Sequence, residues 1–271
     1  MVPQYYWVMS RITSRQNAAV TRYRNVARGH DSSVVLLDGP HLIGEALAAG
    51  LTLRHAMVLS DARPDVAALA GRLSERGVEV ASVTVPVLAA ASPVRTPSGI
   101  VALADRPSIG DGRVYGSEPL LLVACDVQDP GNVGAIVRVA EAAGASGVVA
   151  AGTSADPFGW KALRGSMGSA LRLPLALNRS STEAVVDARR HHCRIVAAMP
   201  ANGQSMFHAD LTGPLAILIG GEGPGLSQFL LDEVEEHITV PMRPPVESLN
   251  AAVTAALLLY EARRQRESRT V

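Results

Sequence analysis

The second half of the chain alternates short apolar runs with segments of helical periodicity. The apolar runs, each of strand length, are residues 120–127, 147–152, 194–199, 215–220 and 237–242. The helical segments between and after them are residues 133–143, 180–192 and 249–266. Strands with one wetted face alternate apolar and polar residues, whereas these runs are apolar throughout. The pattern predicts an α/β domain with a parallel sheet covered by helices on both faces.

The first half also has an α/β pattern, on a smaller scale. Its strand candidates are residues 34–39, 55–60, 78–83 and 99–104, and its helix candidates are residues 14–28, 41–49 and 66–76. Residues 105–119 (DRPSIGDGRVYGSEP) are rich in Gly, Pro and Ser and have no hydrophobic period, which is typical of a linker. We therefore expect a small domain over 1–104, a linker over 105–119 and a larger domain over 120–271.

Composition restricts the class of protein. Hydrophobic residues make up 48% and charged residues 18%, as in a packed globular domain. No apolar run has the length and purity of a membrane span, and residues 1–11 lack the pattern of a signal peptide. The two cysteines, Cys125 and Cys193, are far apart and form no CxxC pair, so we expect a reduced, cytoplasmic protein. The run His191-His192-Cys193 has no second ligand pair, and no metal site is expected.

The charge distribution is more informative than the net charge of zero. Residues 1–30 contain no acidic residue, and their aromatic residues are Tyr5, Tyr6, Trp7 and Tyr23. The basic residues of the same segment are Arg11, Arg15, Arg22, Arg24 and Arg28. Arginines with interleaved aromatic rings suit phosphate contact and base stacking. A solvated helix face would have the same composition, and the segment alone does not separate the two interpretations.

Three segments begin where predicted strands end, which is where open α/β sheets bind ligands. They are residues 129–138 (DPGNVGAIVR), 219–226 (IGGEGPGL) and 240–250 (VPMRPPVESLN), called here the first, second and third motif segments. The second motif segment fits neither the GxGxxG nor the P-loop spacing. It is therefore either a simple turn or a site for something other than pyrophosphate.

Three positions in these segments have ordinary structural explanations, and one is harder to explain in that way. Asn132 is a plausible N-cap of the helix after the first strand, and Ser248 is a natural N-cap of the last helix. Arg138 lies in an otherwise apolar helix, as either a surface residue or a functional cation. Asn250, in the first turn of the last helix, would be left without a capping role.

Together the three motif segments resemble those of the SpoU (TrmH) family of RNA ribose 2′-O-methyltransferases, in the SPOUT superfamily. The resemblance covers residues 120–266. In the first half, SRQNAAVTRYRNVA, LLDGPHLIGEAL and RTPSGIVAL resemble a substrate-binding domain similar to a small ribosomal RNA-binding protein. One departure is Asp38-Gly39, where that domain would have Glu-Gly.

The resemblance implies a C-terminal trefoil-knotted parallel-sheet SPOUT methyltransferase domain, preceded by a small α/β RNA-binding domain. It implies S-adenosylmethionine as the methyl donor, which is already activated and needs no metal, and a homodimer in which Arg138 reaches the partner's cofactor pocket. The residues implied to form that pocket are Met199, Gly220, Gly221, Glu222, Gly223, Val240, Met242, Ser248, Leu249 and Asn250. The implied catalytic residues are Arg138, Asn132, Glu222, Ser248 and Asn250.

Roles for these residues are implied by the same resemblance, in which the arginine at the position of Arg138 is commonly assigned to activate the hydroxyl. A guanidinium is too basic to accept a proton readily, so stabilising the developing alkoxide and binding the adjacent phosphate is the less demanding role; whether Arg138 acts as the base stays open here. Asn132 would orient the arginine or the RNA, and Asn250 would support the cofactor or the ribose. Glu222 and Ser248 would hold the polar network of the site.

The expected substrate is ribosomal RNA of the large subunit, because a separate RNA-binding module suits a folded rRNA loop. A transfer RNA substrate is the alternative. Methylation of a base nitrogen, a non-catalytic RNA-binding protein on the same fold and a nucleotide-dependent oxidoreductase are further alternatives. The absence of a GxGxxG motif after any predicted strand disfavours the last of these.

Overall fold

The structure, a computed structural model, describes residues 10–108, 110, 112–178, 180–223, 225–234 and 236–269. The described residues divide into two compact units. The first comprises the chain up to Pro107 together with Phe158–Arg164, and the second comprises Ser108–Pro157 and the chain from Gly165 onward. A short segment from the later half of the sequence therefore packs with the first unit.

The first unit is a five-stranded sheet with helices packed against it. Its elements in chain order are β1 (Ser10–Ile12), α1 (Ala18–Ala27), β2 (Val34–Asp38), α2 (Pro40–Ala48), β3 (Leu53–Leu59), α3 (Pro64–Glu75), β4 (Glu79–Val83), α4 (Val85–Ala91) and β5 (Ile100–Asp105). The strand order is β1-β4-β3-β5-β2, with β5 antiparallel to both of its neighbours. Trp160 packs against the hydrophobic core of this unit.

The second unit is built on a seven-stranded sheet in which every pairing is parallel. Its elements are β6 (Leu120–Cys125), α5 (Pro130–Ala143), β7 (Gly147–Ala151), α6 (Trp160–Ser166, which begins in the first unit), a 3₁₀ turn (Ser169–Leu171), β8 (Leu175–Asn178), α7 (Ser181–Arg190), β9 (Arg194–Met199), β10 (Gln204–Ser205), β11 (Leu215–Gly220), α8 (Gln228–Asp232), β12 (Glu236–Thr239) and α9 (Ala251–Arg269). The strand order is β10-β12-β9-β11-β6-β7-β8. The predicted parallel sheet is confirmed.

Both faces of this sheet are covered, as the unbroken apolar runs predict. Every residue of β6 is buried, although successive side chains of a strand point to opposite faces. Helix α7 packs on one face through Ala184, Val185 and Ala188, while α5 and α9 pack against each other. At the end of α9, Arg263 donates a 3.0 Å hydrogen bond to the carbonyl of Ala142, the penultimate residue of α5.

Several elements escape the sequence patterns. Strands β1, β8 and β10 are only two to four residues long, too short for a periodicity to appear. Helix α4 (Val85–Ala91) was not predicted. Its proline, Pro86, is compatible with the first turn of a helix, but a proline in the sequence ordinarily argues against a helix. Within residues 105–119, predicted to be a linker, Val114 and Tyr115 are buried in the core of the second unit.

Among the described residues, no helix combines the length and the apolar character that crossing a membrane requires. The same part of the chain contains no group of three or more His, Cys, Asp or Glu side chains that could hold a metal ion.

Candidate active site

The three motif segments meet at one edge of the second sheet. Strands β6 and β11 are neighbours in register, with Gly220 opposite Cys125, so the two strands end at the same level. Strand β9 pairs with β11, and β12 pairs with β9. Because all four strands are parallel, their carboxyl ends lie on the same side, and the loops that follow them come together there.

A cavity of about 580 Å³ lies at this edge, within the size range of small-molecule sites. All ten residues predicted to form the cofactor pocket line it: Met199, Gly220, Gly221, Glu222, Gly223, Val240, Met242, Ser248, Leu249 and Asn250. Four further lining residues, on the neighbouring helices α8 and α9, were not among those predicted: Gln228, Leu231, Ala251 and Thr254. Thr254 could have been found, since it follows Asn250 by four residues and so shares its helix face.

The glycines of the second motif segment are required by close backbone contact. A Cβ on Gly221 would overlap the carbonyl oxygen of Asp126 and lie 2.7 Å from its carbonyl carbon. The backbone N–H of Gly221 donates a 2.8 Å hydrogen bond to the carbonyl of Cys125. A Cβ on Gly220 would likewise overlap the backbone of Gly225. The second motif segment is thus pressed against the loop between β6 and α5, and only glycine allows this approach.

A chain of side-chain hydrogen bonds joins all three motif segments. Asn250 Oδ1 accepts the backbone N–H groups of Ala252, at 2.9 Å, and Val253, at 3.3 Å, in the first turn of α9. Its Nδ2 donates to Asn132 Oδ1 at 3.0 Å. Asn132 Nδ2 in turn donates to Glu222 Oε1. We call Glu222, Asn132 and Asn250 the amide relay.

The helix caps differ from those expected. Asn132 does not cap α5; the carboxylate of Asp129 does, accepting the backbone N–H of Asn132 at 2.8 Å, and Pro130 occupies the first helical position. Ser248 does not cap α9 either, because the helix begins only at Ala251 and Asn250 performs that role. Asn250 therefore caps α9, and the prediction that it has no capping role is wrong. Because Asp129 caps α5, the side chain of Asn132 can take part in the amide relay.

The structure brings together some of the predicted catalytic residues and leaves others apart. Glu222, Asn132 and Asn250 are directly linked. Ser248 lines the cavity, but its hydroxyl makes no hydrogen bond with the described residues. Arg138 is exposed on α5, outside the cavity lining, and its guanidinium makes no hydrogen bond or ion pair with the described part of the chain. Within one chain, Arg138 is therefore not part of the cavity.

Cys125, at the end of β6, is the thiol closest in sequence to the first motif segment. Burial raises the pKa of this thiol to about 12. It is consequently protonated at neutral pH and cannot act as a thiolate nucleophile. Cys125 therefore does not provide a nucleophile at this edge of the sheet.

The predicted RNA-binding arginines of the first unit are not equivalent. Arg11, Arg15, Arg22 and Arg28 are exposed. Arg24 is partly buried, and its Nε donates to the carbonyl of Ala90 at 2.9 Å, which ties α1 to α4.

Of the aromatic residues near these arginines in the sequence, only Tyr23 lies within the described residues. Tyr23 is fully buried, and its hydroxyl lies 3.0 Å from both Nδ1 and the carbonyl oxygen of His55. The suggestion that Tyr23 stacks on bases is therefore wrong, because its ring belongs to the core. Tyr5, Tyr6 and Trp7 lie outside the described residues.

Comparison with known proteins identifies a family and several relatives. The profile described as the SpoU rRNA Methylase family matches residues 119–260. An uncharacterized tRNA/rRNA methyltransferase of Synechocystis sp. is 33% identical over 261 residues, which are 94% of this chain and 93% of that protein. The 23S rRNA (guanosine(2553)-2′-O)-methyltransferase RlmP of Bacillus subtilis is 28% identical over 258 residues, covering 94% of this chain and all (100%) of that protein.

Solved structures give a similar result for the fold. The AdoMet-bound rRNA methyltransferase of Sinorhizobium meliloti superposes with a TM-score of 0.83 at 28% sequence identity. The superposition covers 94% of this chain and 98% of the other. It thus includes most of both units.

Proposed function

The chain belongs to the SpoU rRNA methylase family, and from this premise we propose that it transfers a methyl group from S-adenosylmethionine to a ribose 2′-hydroxyl of 23S ribosomal RNA. The observation that carries this proposal is the amide relay at the rim of a cavity walled by the second and third motif segments. The full-length similarity to RlmP, which is named for 2′-O-methylation of 23S rRNA, supports the choice of acceptor and RNA.

The cavity fits the cofactor. Gly220 and Gly221 form a cradle in which side chains would displace the backbone, and Ile219, Val240 and Met242 supply apolar surface for an adenine ring. S-adenosylmethionine, when bound, supplies a methyl group on a sulfonium sulfur. Isothermal titration tests this fit, and no detectable heat at near-millimolar cofactor would contradict it.

Arg138 is assigned the role of stabilising the alkoxide that develops on the ribose oxygen and binding the adjacent phosphate. Its exposure and its lack of a partner among the described residues leave the guanidinium available for RNA. Because Arg138 does not line the cavity of its own chain, we propose that the enzyme is a homodimer and that Arg138 acts at the partner's cavity.

A complementation experiment tests the shared site. Mixing an Arg138→Ala chain with an Asn250→Ala chain should restore part of the activity, since the mixed dimer contains one intact site. Light scattering should give a dimer of the 28.4 kDa chain at micromolar concentration. A monomer that is fully active would contradict the shared site.

Selection of ribosomal RNA is assigned to the first unit, with transfer RNA as the alternative. Its exposed arginines are suited to phosphate contact. Deleting residues 1–104 is a poor test, because Trp160 packs on the core that this deletion removes. Replacing the exposed arginines by glutamine in the full chain is better. The variants are Arg11→Gln, Arg15→Gln, Arg22→Gln and Arg28→Gln.

Each lost phosphate contact should weaken RNA binding and lower the slope of log affinity against log salt by about one. Cofactor binding should not change. Unaltered RNA affinity in the combined variant would exclude this role for the first unit. Mass spectrometry of ribosomal and transfer RNA nucleosides, with and without the gene, decides between the two RNAs and identifies the methylated atom.

We also propose that the second unit has the trefoil knot of the SPOUT fold, with α9 passing through a loop. The contacts of α9 support this: Arg266 donates to the carbonyl of Pro119 at 3.0 Å, and Gln265 bonds to Ala209 and Leu211. The end of α9 is thus held between the start of β6 and the segment before β11. An experimental backbone trace in which α9 lies outside every loop would contradict it. A cytoplasmic location is proposed as well, because the proposed substrate is ribosomal RNA and two free cysteines suit a reducing compartment.

A further inference from the structure

We propose that Lys161 and Arg164, on the exposed face of α6, bind the sugar–phosphate backbone of the RNA substrate. The proposal rests on the function proposed above and adds a binding surface to it. Both residues belong to a stretch without acidic side chains. Between Asp156 and Glu183 the sequence contains no aspartate or glutamate, and its basic residues include Lys161, Arg164 and Arg172. The start of the chain has the same kind of composition, which suits contact with phosphates.

The two cations share one face of α6 and are available to a ligand. Positions three apart in a helix are neighbours on its surface, with Cβ atoms about 5–6 Å apart. Both side chains are exposed, and neither forms an ion pair or hydrogen bond with the described residues. Arg172 differs, because its guanidinium donates two hydrogen bonds of 2.8 Å to the carboxylate of Glu141. Lys161 and Arg164 therefore have charges that RNA can use, whereas Arg172 does not.

The carboxylate of Asp38 lies near this face, and it is already bonded within the first unit. Asp38, at the end of β2, accepts a 2.6 Å hydrogen bond from the hydroxyl of Ser92. Burial raises the pKa of Asp38, while the hydrogen bond from Ser92 and the charge of Arg164 lower it. No ion pair joins Arg164 to Asp38 in the described part of the chain. The guanidinium thus keeps its N–H groups for a phosphate, which it can bind through two of them at once.

The helix beneath these cations is firmly packed. Trp160 packs against the hydrophobic core of the first unit, and Ala162 and Leu163, between the two cations, are fully buried. Lys161 Nζ lies over the ring of Trp160, 5.5 Å from its centroid. An aromatic ring attracts an ammonium group and positions it while leaving its charge intact. The two cations are therefore presented from a fixed surface, which limits the entropy lost when RNA binds.

The residue after Arg164 connects this helix to the first motif segment. Gly165 packs so closely on the first turn of α5 that a Cβ there would lie 3.2 Å from the carbonyl oxygen of Gly131 and 3.3 Å from Cα of Gly134. The same turn contains Asn132, the middle member of the amide relay. A phosphate bound by Arg164 is consequently held one residue in sequence from a direct contact with the first motif segment. Binding there helps to position the reacting ribose.

The test is the double variant Lys161→Gln, Arg164→Gln in the full-length protein, and the probe is unmodified 23S ribosomal RNA transcribed in vitro. The RNA affinity should fall by about tenfold for each lost contact. The slope of log affinity against log salt should decrease by about two. The loss should appear in KM for RNA rather than in kcat, because saturating RNA fills the site in either enzyme. The dissociation constant of S-adenosylmethionine should stay within about threefold of the wild type.

Matched variants separate this surface from charge in general. Arg172→Gln removes a cation that Glu141 already binds. Arg72→Gln removes an exposed cation of α3, a helix that packs with α2. Both variants should leave RNA affinity and its salt slope unchanged. The pair Lys161→Arg, Arg164→Lys retains both charges and should retain the salt slope.

The sequence offers a second measurement, because Lys161 is its one lysine. An amine-reactive reagent therefore modifies a single side-chain amine, which peptide mass spectrometry separates from the N-terminal amine. RNA should suppress the labelling of Lys161, and S-adenosylmethionine alone should not. Unchanged affinity and salt slope in the double variant, an equal loss in Arg72→Gln, or labelling that RNA does not slow would each overturn the proposal. If the wild-type protein binds RNA in this way but methylates none, the proposed function fails and the binding surface stands.

Discussion

Replacing Gly221 by alanine adds one methyl group at the point where the second motif segment touches the β6–α5 loop. That methyl carbon would overlap the carbonyl oxygen of Asp126 and lie 3.2 Å from the backbone nitrogen of Val127. These are backbone atoms, so no side chain can rotate away to make room. The two segments must separate by roughly 1.5 Å before the added carbon reaches an ordinary contact distance from that oxygen.

The cost can be estimated from what this separation breaks. Overpacking that shifts the backbone costs about 1–3 kcal/mol, and loss of the hydrogen bond from Gly221 N–H to the carbonyl of Cys125 adds about 0.5–1.5 kcal/mol. The sum is about 1.5–4.5 kcal/mol, which corresponds to a fall of roughly 3–18 °C in the melting temperature of the second unit. Because Gly221 lines the cavity, we also expect the affinity for S-adenosylmethionine to fall at least about tenfold, or 1.4 kcal/mol.

Differential scanning calorimetry and isothermal titration measure the two effects. The matched control is Gly44→Ala, in the middle of α2, where an added Cβ meets nothing within 4 Å. That variant should be neutral or more stable by about 0.5–1 kcal/mol, since alanine favours a helix. If Gly221→Ala melts at the wild-type temperature and binds the cofactor normally, the close approach of the two loops is not required, and the reasoning is refuted.

Other predictions concern single side chains in both units. Arg138→Ala should abolish methyl transfer while cofactor affinity changes by no more than a few fold; near-normal methylation would refute the assignment, and a similar failure of Arg138→Lys would favour a forked grip on phosphate over simple charge. Burial lowers the pKa of His55, so the unfolded state binds the proton more readily, and the stability of the first unit should decrease as the pH falls below about 6.5; urea titrations at pH 7.5 and 5.5 with equal midpoints would count against this. Burial raises the pKa of Cys125 to about 12 and that of Cys193 to about 11, so both thiols should resist alkylation at pH 8 until the protein is denatured, and rapid labelling of the native chain would contradict it.

The sequence by itself determined the architecture of the second unit and the place of its site. Strands that are apolar throughout need cover on both faces, which indicates a parallel sheet between helices, and β6 to β12 form such a sheet. The three motif segments come together because they follow strands whose carboxyl ends meet, and the ten residues that the family resemblance placed in the pocket all line one cavity. The sheet and the meeting of the segments depend on local patterns, whereas the choice of the ten residues came from the resemblance.

Only the tertiary structure decided how the polar side chains are used. Asn250 and Asn132 are 118 residues apart, and Asn132 and Glu222 are 90 apart, so no local pattern could pair them. The choice of Asp129 rather than Asn132 as the cap of α5 depends on where the helix starts, to within a residue, and this lies beyond what propensity resolves. Tyr23 follows the same rule: its sequence neighbours are arginines, but its ring fills the core and its hydroxyl bonds to a histidine 32 residues away. Burial and long-range hydrogen bonding are properties of the packed chain. They join residues from three separate motif segments into the relay that ends on Glu222.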